Sequence, residues 1–97
     1  MSVLTLLEVK VNPENVNDFK TYMKVLFPDT RAFKGCRGTQ LQVNQDDETN
    51  MIAVEEWDTR EAHQKYIAWR TETGVIDLIM AMLSERPSVR YFDKADA

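Results

Sequence analysis

The order in which the hydrophobic period changes along this chain restricts its possible folds more than any other feature. Val3, Thr5, Leu7, Val9 and Val11 alternate with Leu4, Leu6, Glu8 and Lys10, so residues 3–11 read as a strand with two distinct faces. The period then lengthens: Val16, Phe19, Tyr22, Met23, Leu26 and Phe27 share one arc at helical spacing. Asn12 is placed to cap that helix, Pro13 to open its first turn, and Pro28 to end or bend it. Beyond the two glycines of "FKGCRG" the two-residue period returns in "TQLQVN", crosses "QDDETN" as a polar hairpin loop and resumes in "MIAVEEW". Asp58 or Thr59 caps the next helix, with Glu61 completing a capping box if Asp58 is the cap, and Gly74 stops it. "VIDLIMAMLSE" (75–85) reads as a shorter helix ended by Pro87, and "SVRYF" as the last strand.

The order βαββα(α)β, with no linker or repeat, predicts one α+β domain over residues 1–97. Its expected architecture is ferredoxin-like βαββαβ, a four-stranded antiparallel sheet with both crossover helices on one face. The other face is not polar, since Leu4 and Leu6 on the first strand and Ile52 and Val54 on the third point there. No element remains in 97 residues to cover it, so a homodimer paired sheet on sheet is expected.

Charge and composition exclude several classes of partner. A formal charge of −4, with twelve Lys and Arg spread along the chain, leaves no basic stripe for nucleic acid. The apolar start "MSVLTLLEVKV" lacks a positive n-region and is broken by Glu8 and Lys10, so it reads as a strand and not a signal peptide, and a cytoplasmic location is expected. "VIDLIMAML" is too short to span a membrane. One cysteine, Cys36, and one histidine, His63, rule out a disulfide framework and a His- or Cys-rich metal cluster, so no metal ligands are assigned.

The stretch "EEWDTREAHQKYIAWR" (55–70) holds both tryptophans and the only histidine. On a helical wheel Trp69, Ala62, Tyr66, Arg70, His63 and Ile67 fall in one arc, opposite Gln64, Ala68, Glu61, Lys65 and Glu72. His63 and Arg70 therefore point between helix and sheet, where polar groups need partners. In the structural alternative, Arg70 snorkels to the rim, His63 bonds a carboxylate such as Glu56, and the aromatics are core. Glu55 and Glu56 are strand neighbours on opposite faces, which argues against a paired-carboxylate site.

The run "FKGCRGTQLQVNQDDETNMIAVEEWDTREAHQKYIAW" resembles the antibiotic biosynthesis monooxygenase (ABM) family: a glycine turn, an alternating strand, a polar hairpin, a strand ending E-x-W, then an S/T-capped helix rich in E, A, H and Y. The resemblance implies a dimeric α+β barrel. It also implies one of several activities: cofactor-independent oxygenation of phenols or quinols, haem degradation, or isomerisation of small phosphorylated ketones. The haem-degrading pattern does not carry over, because no Asn precedes Asn12 in the first strand, Tyr66 stands at the helical Trp position and the second short helix lacks His. For the aromatic oxygenases Trp57, Tyr66 and Arg70 match, whereas Ala53 stands where an Asn is expected.

These readings lead to an expected cofactor-free monooxygenase for a small electron-rich phenol or quinol. His63 would be the base, Arg70 the cation holding the phenolate, and Trp57 a further catalytic residue, with Tyr66, Trp69, Tyr22 and Met80 binding the substrate. The alternative is a non-catalytic or non-oxidative dimeric module for a small metabolite.

Overall fold

The computed structural model describes residues 1–97. Its elements are β1 (Val3–Lys10), a single 3-10 turn (Pro13–Asn15), α1 (Val16–Ala32), β2 (Cys36–Asn44), β3 (Asp47–Trp57), α2 (Arg60–Glu72), α3 (Val75–Ala81) and β4 (Ser88–Phe92). The strands form one sheet in the order β2-β3-β1-β4 with every neighbouring pair antiparallel, which is the ferredoxin-like βαββαβ topology.

Alternation in β1 sorts as expected: Val3, Thr5 and Val9 are buried towards the helices, and Leu4 and Lys10 are exposed on the open face. From α1, Val16, Phe19, Met23, Leu26 and Phe27 close over that inner face and pack on Val9, Val11, Met51 and Ala53. Pro28 does not end the helix. It lies inside α1, which continues to Ala32. Thr30 occupies the extra turn and donates from Oγ1 to the Leu26 carbonyl at 3.2 Å.

Two local expectations change, and one open alternative is decided. The loop in "QDDETN" shrinks to two residues, because β3 already begins at Asp47 and Asn44 Oδ1 accepts from the Asp46 amide at 2.8 Å, an Asx turn that tightens the hairpin. Thr59, not Asp58, caps α2: its side chain accepts from the Ala62 amide, while Asp58 is taken by Arg37 at 2.6 Å. The last helix ends at Ala81 and not at 85, since Leu83 is drawn into a bridge with Val11.

Two glycines earn their conformations. Gly35 has φ 93° and packs so closely under α2 that a Cβ would meet Ala62 Cβ at 2.7 Å. Gly74, at φ 83°, turns the chain directly from α2 into α3. No helix is long and apolar enough to cross a membrane.

Candidate functional site

The strand register aligns four polar side chains in one row across the helix-facing side of the sheet. Thr39 pairs with Glu55, Glu55 with Thr5, and Thr5 with Tyr91, so the row runs from β2 through β3 and β1 to β4. Thr5, Thr39 and Glu55 are buried and Tyr91 is half-buried. The Glu55 carboxylate is held by two donors: Trp57 Nε1–H gives to Oε1 at 3.0 Å and Thr39 Oγ1–H to Oε2 at 2.8 Å. Burial pushes the Glu55 pKa up, and these two bonds pull against it. Thr5 Oγ1 is the one buried side-chain polar atom without a hydrogen-bond partner.

From above the row α2 lowers His63, which is 3% exposed. Its Nδ1 lies 2.7 Å from Tyr91 Oη and its Nε2 is 3.8 Å from Glu55 Oε1. Burial lowers the His63 pKa to about 4, so the imidazole is neutral at pH 7 and the 3.8 Å contact is not an ion pair there. The facing carboxylate favours the proton on Nε2, which assigns Nδ1 as acceptor from the Tyr91 hydroxyl. Arg60 lies 4.3 Å from the Tyr91 ring centroid and holds that ring at the rim. Carboxylate, imidazole and phenol thus form one line from the core outwards.

Two turns further along α2, Arg70 is 4% exposed, and does not snorkel. Its Nε donates to Tyr66 Oη at 2.9 Å and its Nη2 to the Leu26 carbonyl at 2.9 Å. Tyr66 passes its own proton to Thr30 Oγ1 at 2.6 Å. The guanidinium also stacks over Trp69, 4.5 Å from the ring centroid.

Two adjoining spaces meet at His63. An outer cleft of about 380 Å³ lies between α2, α3, β1 and β4, walled mainly by apolar residues that include Leu7, Ile67, Met80 and Val89, with Tyr91 at its edge. Behind it sits a cavity of about 40 Å³, lined by Leu26, Phe27, Ala53 and Ile79 together with Glu55, Tyr66 and Arg70. Leu7, His63, Ile67, Ile76 and Ile79 border both. A larger hollow of about 870 Å³ lies elsewhere, at the open sheet face, but only three of its 13 lining residues are apolar.

The expected site residues separate by depth. His63 borders both spaces, Met80 only the cleft, and Tyr66 and Arg70 only the inner cavity. Trp57 is fully buried behind Glu55, Trp69 packs on Phe33 and Arg70, and Tyr22 packs against the apolar core under α1; none of the three lines either space. The carboxylate facing His63 is Glu55 and not Glu56, which is exposed on the opposite face. Glu55, Tyr91 and Thr5 were not among the sequence candidates. A carboxylate in the inward phase of Met51, Ala53 and Trp57 was the available clue to the first.

Residues 2–72 match the family described as antibiotic biosynthesis monooxygenase. The chain belongs to this family. None of the curated proteins compared with the chain matches it. Among solved structures, a conserved protein from Methanosarcina mazei Go1 superposes with a TM-score of 0.88 at 18% identity, covering 98% of this chain and 94% of that one. A structure titled antibiotic biosynthesis monooxygenase gives 0.86 at 24% identity, covering 96% and 98%. A putative antibiotic biosynthesis monooxygenase from Caulobacter crescentus CB15 gives 0.85 at 17% identity, covering 98% and 91%. At these identities the ABM-family structures share the fold with this chain; activity has to be argued from the site.

Proposed function

We propose that this ABM-family protein is a cofactor-independent monooxygenase acting on a small electron-rich phenol or quinol held in the cleft between α2, α3 and β4. The observation that carries the reading is the Glu55–His63–Tyr91 line ending at an apolar cleft of about 380 Å³, a size that suits a two-ring phenol. Once deprotonated, such a substrate is itself the electron donor to O₂. For a phenol with a free para position the sum is phenol plus O₂ giving para-quinone plus water: one oxygen atom becomes the new carbonyl, the other leaves as water, and no outside reductant is consumed. The protein has to exclude water, orient the ring and carry the phenolic proton away. Tyr91 and His63 take that proton in relay, and Glu55 steadies the imidazolium. Trp57 acts by fixing Glu55. Met80 is a movable wall of the cleft.

The reading includes a homodimer joined through the open sheet face, where Leu4 and Phe92 are 40% and 41% exposed and Leu6, Ile52 and Val54 are half-buried. Sedimentation should then give a species of about twice 11.3 kDa.

Oxygen uptake with a panel of naphthols and naphthalenediols tests the reaction. His63→Ala should slow turnover by roughly 10²-fold, with folded protein confirmed by circular dichroism. An unchanged rate per folded molecule removes His63 from the chemistry.

One observation favours the second reading, a non-oxidative metabolite-binding module: Arg70 and His63 already have protein partners in Tyr66, Leu26 and Tyr91. In that case His63→Ala and Arg70→Ala each lose roughly 1–3 kcal/mol of stability, and no phenol supports oxygen uptake.

A further inference from the structure

We infer that the inner cavity beside Arg70 is a dioxygen pocket, separate from the cleft that takes the organic substrate. The inference rests on the oxygenase reading above and assigns the second reactant of that same site.

Size comes first. A cavity of about 40 Å³ is small beside the roughly 150 Å³ that accommodates benzene, yet it exceeds the roughly 10–15 Å³ that one water requires. A diatomic molecule fits it and an aromatic ring does not. Its walls suit the same guest. Nine of twelve lining residues are apolar, and an uncharged, apolar molecule enters such a space without losing hydrogen bonds to water.

The polar remainder sets this cavity apart from a packing defect. Arg70 is buried in its wall, and none of the chain's four ion pairs includes it. Its protein hydrogen bonds leave from Nε and Nη2, and none leaves from Nη1. Glu55 lines the same cavity but makes no ion pair with Arg70, and a buried cation left unpaired is costly in a resting protein but suited to an anion formed in place. Transfer of one electron from the bound phenolate to O₂ leaves a phenoxyl radical in the cleft and superoxide in the cavity, and the superoxide charge appears beside the guanidinium. The superoxide then crosses the shared border into the cleft, where the two radicals couple to form the carbon–oxygen bond, and the resulting peroxide takes up a proton and loses water to leave the carbonyl.

The shared border supplies the geometry. His63, Ile67, Ile76 and Ile79 line both spaces, so a ring in the cleft and a diatomic behind it face each other across this one layer of side chains. The same placement changes the part first expected of Arg70. It borders the cavity and not the cleft, so it answers the charge on reduced oxygen and not the phenolate.

Crystals held under xenon pressure, together with oxygen-dependent kinetics on a naphthol, test the assignment. Wild-type protein should show xenon between Ala53, Ile79 and Arg70. Ala53→Leu, or Ala53→Val if the larger change does not fold, should remove the xenon and raise KM for O₂ by roughly tenfold, with KM for the naphthol unchanged. Arg70→Leu should keep the xenon and lower kcat by roughly 10²-fold at saturating O₂; Arg70→Lys should restore part of that loss. Oxygen uptake without xenon in the cavity overturns the pocket while leaving the oxygenase reading standing. Xenon in the cavity with no uptake from any phenol overturns the oxygenase reading, and the dioxygen assignment with it.

Discussion

The helix-facing core has two halves made of different materials. Under α1 it is apolar: Val9, Val11, Phe19, Met23, Leu26, Met51 and Ala53 pack with no charged residue among them. Under α2 a cluster of Val3, Trp57 and Tyr66, with Phe33 and Trp69 packed against it, adjoins buried Glu55, His63 and Arg70. Both helices cover one sheet, yet only the second buries groups whose desolvation opposes folding. In a chain this short the apolar half must offset that cost. Polar groups retained against such a cost mark the half where function is sought.

The comparison is tested most severely by Phe19→Ala. Phe19 is 1% exposed, and its truncation should lower unfolding stability in denaturant titrations by about 3–5 kcal/mol, by a similar amount at each pH. A loss below 1 kcal/mol would deny the apolar half its stabilising part.

The second half should instead show its chemistry as a pH dependence. Unfolded His63 takes up a proton near pH 6.5, whereas folded His63 resists until about pH 4. Between those values the unfolded chain holds more protons, so His63's contribution is full above pH 6.5 and falls as pH drops towards 4. The total is about 3 kcal/mol for a shift of this size. Glu55 has the opposite sign: its folded pKa is raised above 4.5, so its protonation favours the folded state and offsets part of the loss at the acid end. Tyr91, the other titratable group facing His63, has its pKa raised from 10.0 and stays neutral throughout this window. His63→Gln should flatten the slope between pH 6.5 and 4.5, and a slope that survives it comes from other groups.

Tyr66→Phe sharpens the contrast at smaller scale. It removes the hydroxyl between Arg70 Nε and Thr30 Oγ1 and should cost about 1–3 kcal/mol. The smallest effect has the opposite direction. Thr5→Val replaces the one unpartnered buried hydroxyl by a methyl group of similar shape and should stabilise the protein by about 1 kcal/mol. A loss on thermal melting would show that Thr5 Oγ1 has a role that its protein contacts do not reveal.

Legibility followed the range of the interaction concerned. Periods of two and of 3.6 residues are local, and they sufficed for the ferredoxin-like order, the inward face of α1 and the arc of α2 that buries His63, Tyr66 and Arg70. Of the two expectations at Pro28, an end to the helix was not met, because packing of Leu26, Phe27 and Thr30 outweighed one missing amide hydrogen bond. Glu55 was legible in part, since its inward phase in β3 is written in the sequence; that Thr39 and Trp57 would hold it is not.

What the sequence by itself determined is the set of faces: which side chains each strand and helix turns inward, because that follows from backbone periodicity alone. The tertiary structure decided which inward residues meet. Thr39, Glu55, Thr5 and Tyr91 lie in one row only because three strand pairings hold a particular register, and a two-residue slip in any of them would keep every face while dispersing the row. The depth of Arg70 was likewise undecided, as a long side chain at that position can reach the rim or the core. The Leu26 carbonyl and the Tyr66 hydroxyl draw it inward, and those partners come from two different helices.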